Sequence, residues 1–298
     1  MKYKFVLLSL YLLSFIYFVY KTLVTVTMVN ANSGAFYEKK QLVLFAFFSI
    51  VYIILAFSSS VLLRRYPTKG PRANLALFLT SALLAISVVL SSFFVPVPSE
   101  MNNHLSQLVL NIASVLLIVF MVAYALLYLI NFEMHPVIYI IPLTYWLTKL
   151  ITEYIKIAKM PFIMENGFKI ITTAFVSIFF LYFAKYQSRV LSKYSHKTLM
   201  FFGFSASALC ECFALPQIIL YIRSGYPIVD GAQIIRTNIF EMIFYAVTGL
   251  FILVYIHSVF SNRNLVKHRR HSDGRLILPI DSDGVSGSDD SNDNDISE

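Results

Sequence analysis

The sequence predicts an all-α, multi-pass membrane protein with about eight transmembrane helices and with both ends on the cytoplasmic side. Three observations lead to this prediction. Of the 298 residues, 58% are hydrophobic and only 13% are charged, against roughly 25% charged residues in an average soluble domain. Eight apolar segments are each near the length of about 20 residues that a helix needs to cross the hydrocarbon. The basic residues between these segments follow a pattern that fits an even number of crossings.

The eight segments are separated by short polar connections, which leave no room for a soluble catalytic domain of about 100 to 200 residues. With no water in the hydrocarbon, a spanning segment must satisfy its backbone hydrogen bonds internally, and this favours a helix for each one. The predicted spans run from Phe5 to Thr27, Gln41 to Leu63, Ala73 to Val95, Leu105 to Ile130, Pro136 to Ile157, Phe168 to Tyr186, Thr198 to Ile222 and Ile234 to Val259.

The first predicted span follows Lys2 and Lys4, as the apolar region of a signal peptide does. Its apolar run is long, however, and it ends in Val-Thr-Val-Thr without a small-residue cleavage site. We therefore interpret residues 1–40 as a retained signal-anchor helix followed by an external loop.

Charge provides a test of the helix count that does not depend on hydropathy. With eight spans, the two ends and every second connection share one side. Besides Lys2, Lys4 and Glu133, that side carries Arg64, Arg65, Lys69, Arg72, Lys185, Arg189, Lys193, Lys197, Arg263, Lys267, Arg269 and Arg270. It is the more basic side and is therefore predicted to be cytoplasmic. Seven spans would break this agreement, which disfavours a seven-span receptor with an external N-terminus.

The last part of the chain, residues 263–298, changes character from basic to acidic. The basic KHRRH is followed by a stretch that ends in SGSDDSNDNDISE and holds eight of the 16 acidic residues. This stretch has too little apolar surface to offset the conformational entropy that it would lose on folding. We therefore predict a disordered acidic tail. Its serines allow two interpretations, phosphoregulation near the membrane or a simple solvated tail.

Motifs of soluble enzymes are missing from the sequence. It has no GxxxxGK[ST] phosphate loop, no GxSxG elbow, no HExxH and no paired CxxC, so we expect no enzymatic activity, no cofactor and no metal site. The two cysteines, Cys210 and Cys212, lie in an apolar run and are predicted to pack. The net positive charge is interpreted as an orientation signal, and nucleic acid is not an expected partner.

Ionisable residues inside the spans are the main functional candidates, because each costs roughly 2.5 to 3.5 kcal/mol on insertion scales. Lys149 and Glu153 are four residues apart in the fifth span, where they share a helix face and are predicted to pair. That pair suits a structural role or a transport role. Glu211 and Glu241 have no partner nearby in sequence. Each is expected to meet an arginine or a hydroxyl of a neighbouring helix, or to take up a proton in a proton-linked role.

The segment ECFALPQIILYIRSG places Glu211 five residues ahead of Pro216, which is followed by Gln217. A proline at this position removes a helical hydrogen bond and favours a kink. The motif Glu-x-x-x-x-Pro-Gln resembles that of the Pro-Gln-loop transporters and of the related retention-signal receptors, which implies a small-solute or proton-coupled carrier. Those families repeat a three-helix unit, whereas the first half of this chain has no matching Pro-Gln. A kinked packing helix is the other interpretation.

A longer region, residues 41–186, resembles the accessory five-helix N-terminal membrane domain of C-subfamily ABC transporters, the multidrug-resistance-associated and yeast vacuolar group. The resemblance is carried by LLRRYPTKGPRANLAL, HPVIYIIPLTYWLTKLITEYIKI and MENGFKIITTAFVSIFF. It implies a five-helix module for trafficking and partner binding. The chain departs from that pattern with one span before the module and two further spans in 187–262, and it has no transporter core and no nucleotide-binding domain.

These observations define three functional hypotheses. The first is a noncatalytic scaffold, trafficking or transporter-associated module, with the lipid bilayer and another membrane protein or transporter as partners. The second is a small-solute or proton-coupled carrier, and the third is a membrane receptor. The plasma membrane is the default location, and an endomembrane (ER or vacuole) stays open, since no retention or lipidation signal is present.

Overall fold

The fold is described from a computed structural model of the chain. The structure describes residues 2–28, 39–61, 65–67, 75–93, 104–130, 134–158, 164–188, 195–224, 239–260 and 265–267. The predicted acidic tail after residue 267, the predicted external loop at 29–38 and the predicted start of the eighth span at 234–238 lie outside these residues. The part of the chain up to Val266 forms one compact unit.

The described residues fold into eight α-helices, one for each predicted span. They are α1 (Lys2–Met28), α2 (Lys39–Val61), α3 (Leu75–Phe93), α4 (His104–Ile130), α5 (Ile141–Ile157), α6 (Met164–Gln187), α7 (Ser195–Ser224) and α8 (Ile239–Val259). A 3₁₀ helix over Pro136–Ile140 leads into α5. Two three-residue strands, β1 (Arg65–Pro67) and β2 (Leu265–Lys267), pair with each other and were not predicted. The prediction of a helical membrane fold is confirmed.

Five of the helices are long and apolar enough to cross a membrane: α3, α4, α6, α7 and α8. Helices α1 and α2 contain shorter apolar stretches, Leu8–Val24 and Ala46–Ser58, within the residues whose side chains are described. Helix α5 is shorter, with 17 residues, and Lys149 and Glu153 interrupt its apolar sequence. Helix lengths and composition are therefore those of a multi-pass membrane protein.

Helix α7 lies at the centre of the packing. It contacts α1, α2, α6 and α8, while α8 also packs against α3. Of the apolar stretch of α7, 78% is buried, against 39% for α3 and for α4. Small side chains permit this enclosure: a β-carbon at Gly203 would overlap the side chain of Ile256 on α8, and it would lie 3.3 Å from Cδ2 of Phe179 on α6. Close approach at small residues is the usual way in which helices associate in lipid.

Contacts between helix ends show which ends lie together. The Tyr11 hydroxyl of α1 is hydrogen-bonded to Nδ1 of His257 near the end of α8, at 3.1 Å. At the start of α7, Lys197 Nζ donates to the carbonyl of Val61, the last residue of α2, at 2.9 Å. The first half of α1 and the end of α8 thus lie at the same end of the bundle.

Candidate intramembrane charge site

Four charged side chains from three helices meet inside the bundle, and we call them the charge network: Lys149 and Glu153 of α5, Lys169 of α6 and Glu241 of α8. Lys149 Nζ lies 3.0 Å from Oε1 of Glu241. Lys169 Nζ lies 2.9 Å from the same oxygen and 2.9 Å from Oε2 of Glu153. Each lysine therefore joins its own helix to α8, and Lys169 also joins α6 to α5.

Local sequence explains how the four residues come together. Lys149 and Glu153 are one turn apart and so face the same side of α5. Glu241 lies in the first turn of α8, where a helix macrodipole favours negative charge. Lys169 is the sixth residue of α6, so the three helices contribute their charged groups at one level of the bundle.

The network carries two positive and two negative charges, so its net charge is zero. This balance matters because the side chains are almost completely withdrawn from solvent: the exposed fraction is 3% for Lys169, 5% for Glu153, 8% for Lys149 and 12% for Glu241. A single unpaired charge at this depth would carry an effective desolvation cost of several kcal/mol. Pairing across helices removes most of that cost and fixes α5, α6 and α8 in register.

Aromatic rings line one side of the network. Lys149 Nζ lies 5.4 Å from the ring centroid of Phe244 and 5.3 Å from that of Tyr245, within the range of a cation–π interaction. Trp146 stacks on Phe244 with ring centroids 5.2 Å apart. The Tyr245 hydroxyl is hydrogen-bonded to Oγ1 of Thr173 at 2.8 Å. The chain's single tryptophan therefore lies beside the network and can report on its integrity.

The sequence identified three of the four network residues but not their partners. The predicted Lys149–Glu153 pair is wrong, since Lys149 pairs with Glu241 and Glu153 pairs with Lys169. Glu241 is met by two lysines, rather than by an arginine or a hydroxyl. Lys169 was missed as a site residue because the sixth span was predicted to begin at Phe168, which put Lys169 at its outer end. The helix begins at Met164 and carries Lys169 into the bundle.

Glu211, Pro216 and Gln217 of α7 take no part in the three described ion pairs. The carboxyl of Glu211 lies against α8, because its Oε1 is 2.9 Å from the point where a β-carbon of Gly249 would stand. Pro216 lies inside α7 and is buried, and its ring nitrogen cannot donate to the carbonyl of Cys212. Gln217 is partly buried. The predicted candidates thus divide into two places, the charge network and the α7–α8 contact.

Cys210 and Cys212 flank Glu211 and are both buried free thiols. Within the described ranges, no group of three or more histidine, cysteine, aspartate or glutamate side chains is placed to hold a metal ion.

Comparison of the chain with protein-family models, with curated proteins and with solved structures finds no match. We therefore infer the function from the geometry of the network and of the α7–α8 contact.

Replacing Lys169 by Met should destabilise the protein strongly. The change leaves Glu153 without its ion-pair partner and gives the network a net negative charge, and breaking a buried pair from one side costs about 3–5 kcal/mol. The free energy of unfolding, followed by Trp146 fluorescence in detergent micelles, measures this loss. Lys185→Met is the matched control, since Lys185 is an exposed lysine of the same helix and its removal should cost within about 0.5 kcal/mol. Equal losses for the two variants would contradict a stabilising network.

Proposed function

We propose that this chain is an eight-span membrane carrier for a small solute, with both ends in the cytoplasm. One observation supports the proposal: Glu211 places a carboxyl within a membrane-length helix, and this carboxyl takes no part in the ion pairs of the described residues. Ionisable groups inside membrane segments are expensive and mark substrate or ion pathways by default. The four charges of the network satisfy one another, whereas Glu211 is left available for a ligand.

The position of Glu211 in α7 supports this proposal. Helix α7 contacts four other helices, so a ligand bound along it would be surrounded by protein. Pro216 lies little more than one turn further along. It leaves a backbone carbonyl without its helical hydrogen bond, and interrupted helices supply such carbonyls at the binding sites of many carriers. A carboxyl and a free carbonyl on one helix suit a small polar or cationic solute.

A noncatalytic scaffold or transporter-associated module is the second candidate, and the charge network favours it. Four paired charges that join α5, α6 and α8 make a rigid block, and a rigid bundle suits the binding of another membrane protein. The two candidates differ in whether the purified chain binds a small solute by itself.

Solute binding is tested by the thermal stability of the purified protein in the presence of a panel of amino acids, sugars, amines and nucleosides. A ligand present at 100 times its Kd stabilises the folded state by about 2.7 kcal/mol, so we expect at least one solute to raise the Tm by several degrees. Glu211→Gln should remove that shift, and Glu133→Gln, in a predicted connection, should retain it. If no solute shifts the wild-type Tm and a membrane protein co-purifies stoichiometrically in mild detergent, the scaffold replaces the carrier.

The eight-span topology predicts that tags at the two ends are accessible from the same side. The close approach of α1 and α8 at Tyr11 and His257 supports an even number of crossings, and the bias of basic residues supports the cytoplasmic side. Protease protection of a tag at either end, in sealed vesicles of known orientation, measures this directly. Opposite accessibility of the two tags would contradict the topology.

A further inference from the structure

The carboxyl of Glu211 occupies a groove that a glycine creates between α7 and α8. A β-carbon on Gly249 would stand 2.9 Å from Oε1 of Glu211, 3.0 Å from Cβ of Cys210 and 3.2 Å from the carbonyl oxygen of Ser207. Any larger residue at position 249 would press on the carboxyl and on the backbone of α7. Because Gly249 has no β-carbon, the Glu211 carboxyl can lie against α8, near the middle of both helices.

Within the described part of the chain, the Glu211 carboxyl has neither an ion-pair nor a hydrogen-bond partner. The hydroxyl of Ser207, about one turn earlier on α7, is engaged, since its Oγ donates to the carbonyl of Gly249 at 2.9 Å. In this respect Glu211 differs from Glu153 and Glu241, which meet lysine ammonium groups at 2.9 to 3.0 Å.

Several titratable groups on the helices around Glu211 have other partners. On α7, the thiols of Cys210 and Cys212 flank it. Among the groups on the neighbouring helices, Nζ of Lys21 on α1 lies 4.9 Å from the Phe168 ring centroid, and Lys169 of α6 and Glu241 of α8 are paired in the network. Hydrogen bonds join Tyr17 of α1 to Ser49, Tyr52 of α2 to Ser14, Tyr11 of α1 to His257 of α8, and Tyr245 of α8 to Thr173. None of the described ion pairs joins a lysine of these helices to Glu211.

We propose that Glu211 is a proton-binding site. A carboxylate in this setting has two ways to avoid the cost of an isolated charge in a medium of low polarity, a cationic partner or a proton. The described residues form no ion pair with Glu211, so a proton from water forms the O–H bond on a carboxyl oxygen, and it returns to water when α7 and α8 part at Gly249. This deepens the proposed carrier function and rests on it for the use of the proton, which would be the coupling ion of the solute.

Modification by dicyclohexylcarbodiimide tests the site, because this apolar reagent attacks protonated carboxyls within membranes. The full-length protein in detergent micelles is treated over a range of pH, digested and analysed by mass spectrometry. We expect label on Glu211 several-fold above that on Glu153 and Glu241, which serve as internal controls in the same molecule. Labelling should decline as pH rises. It should be lost from this peptide in Glu211→Gln and retained in Glu211→Asp.

Three results would overturn the proposal: no label on Glu211, equal label on the paired glutamates, or protection of Glu211 by sodium ions at constant pH in place of a pH dependence. The last result would assign the site to a metal cation. The outcome is independent of the solute panel. If Glu211 is labelled but no solute stabilises the protein, the carrier is rejected and the proton site is kept. If a solute stabilises the protein through Glu211 but Glu211 is not labelled, the proton site is rejected and the carrier is kept.

Discussion

A charge that leaves water inside a helical bundle must be cancelled by another charge or by a proton, and this constraint organises the structure around α5, α6 and α8. Lys149, Glu153, Lys169 and Glu241 cancel one another at distances of 2.9 to 3.0 Å. Because Glu241 accepts hydrogen bonds from both lysines, none of these three helices can move relative to the others without separating an ion pair in a medium of low polarity. The network thus sets the register of three helices that apolar packing alone would hold less specifically.

Glu211 meets the same constraint in a different way. It lies on α7, the helix with the most enclosed apolar stretch, against the backbone of α8 at Gly249. The bundle therefore has two kinds of ionisable site. The network is buried and fixed by its ion pairs, whereas Glu211 is partly buried and can change its protonation state. Such a division suits a protein in which a firm block of helices supports a contact that opens and closes, as the proposed carrier requires.

The helices could be predicted from the sequence because length and hydropathy are local properties. Each of the eight described helices overlaps one predicted span, and residues 234–238 of the eighth predicted span lie outside the described part of the chain. The ion-pair partners could not be predicted, because Lys149 and Glu241 are 92 residues apart in the chain and only tertiary packing joins them. Helix α7 contains a run rich in small residues from Gly203 to Ala208, but the contacts of this run with Ile256 and Gly249 depend on how α8 lies against it.

We expect the balance of charge, more than any single side chain, to stabilise the network, and a double-mutant cycle on Lys149→Met and Glu241→Gln tests this expectation. Each single change leaves one uncompensated charge, whereas the double change leaves the balanced pair of Lys169 and Glu153. The free energy of unfolding of the double variant should be closer to that of the wild type than the value of either single variant is, with a coupling energy of about 0.5–3 kcal/mol. A loss in the double variant equal to the sum of the losses in the two single variants would contradict a stabilising balance of charge.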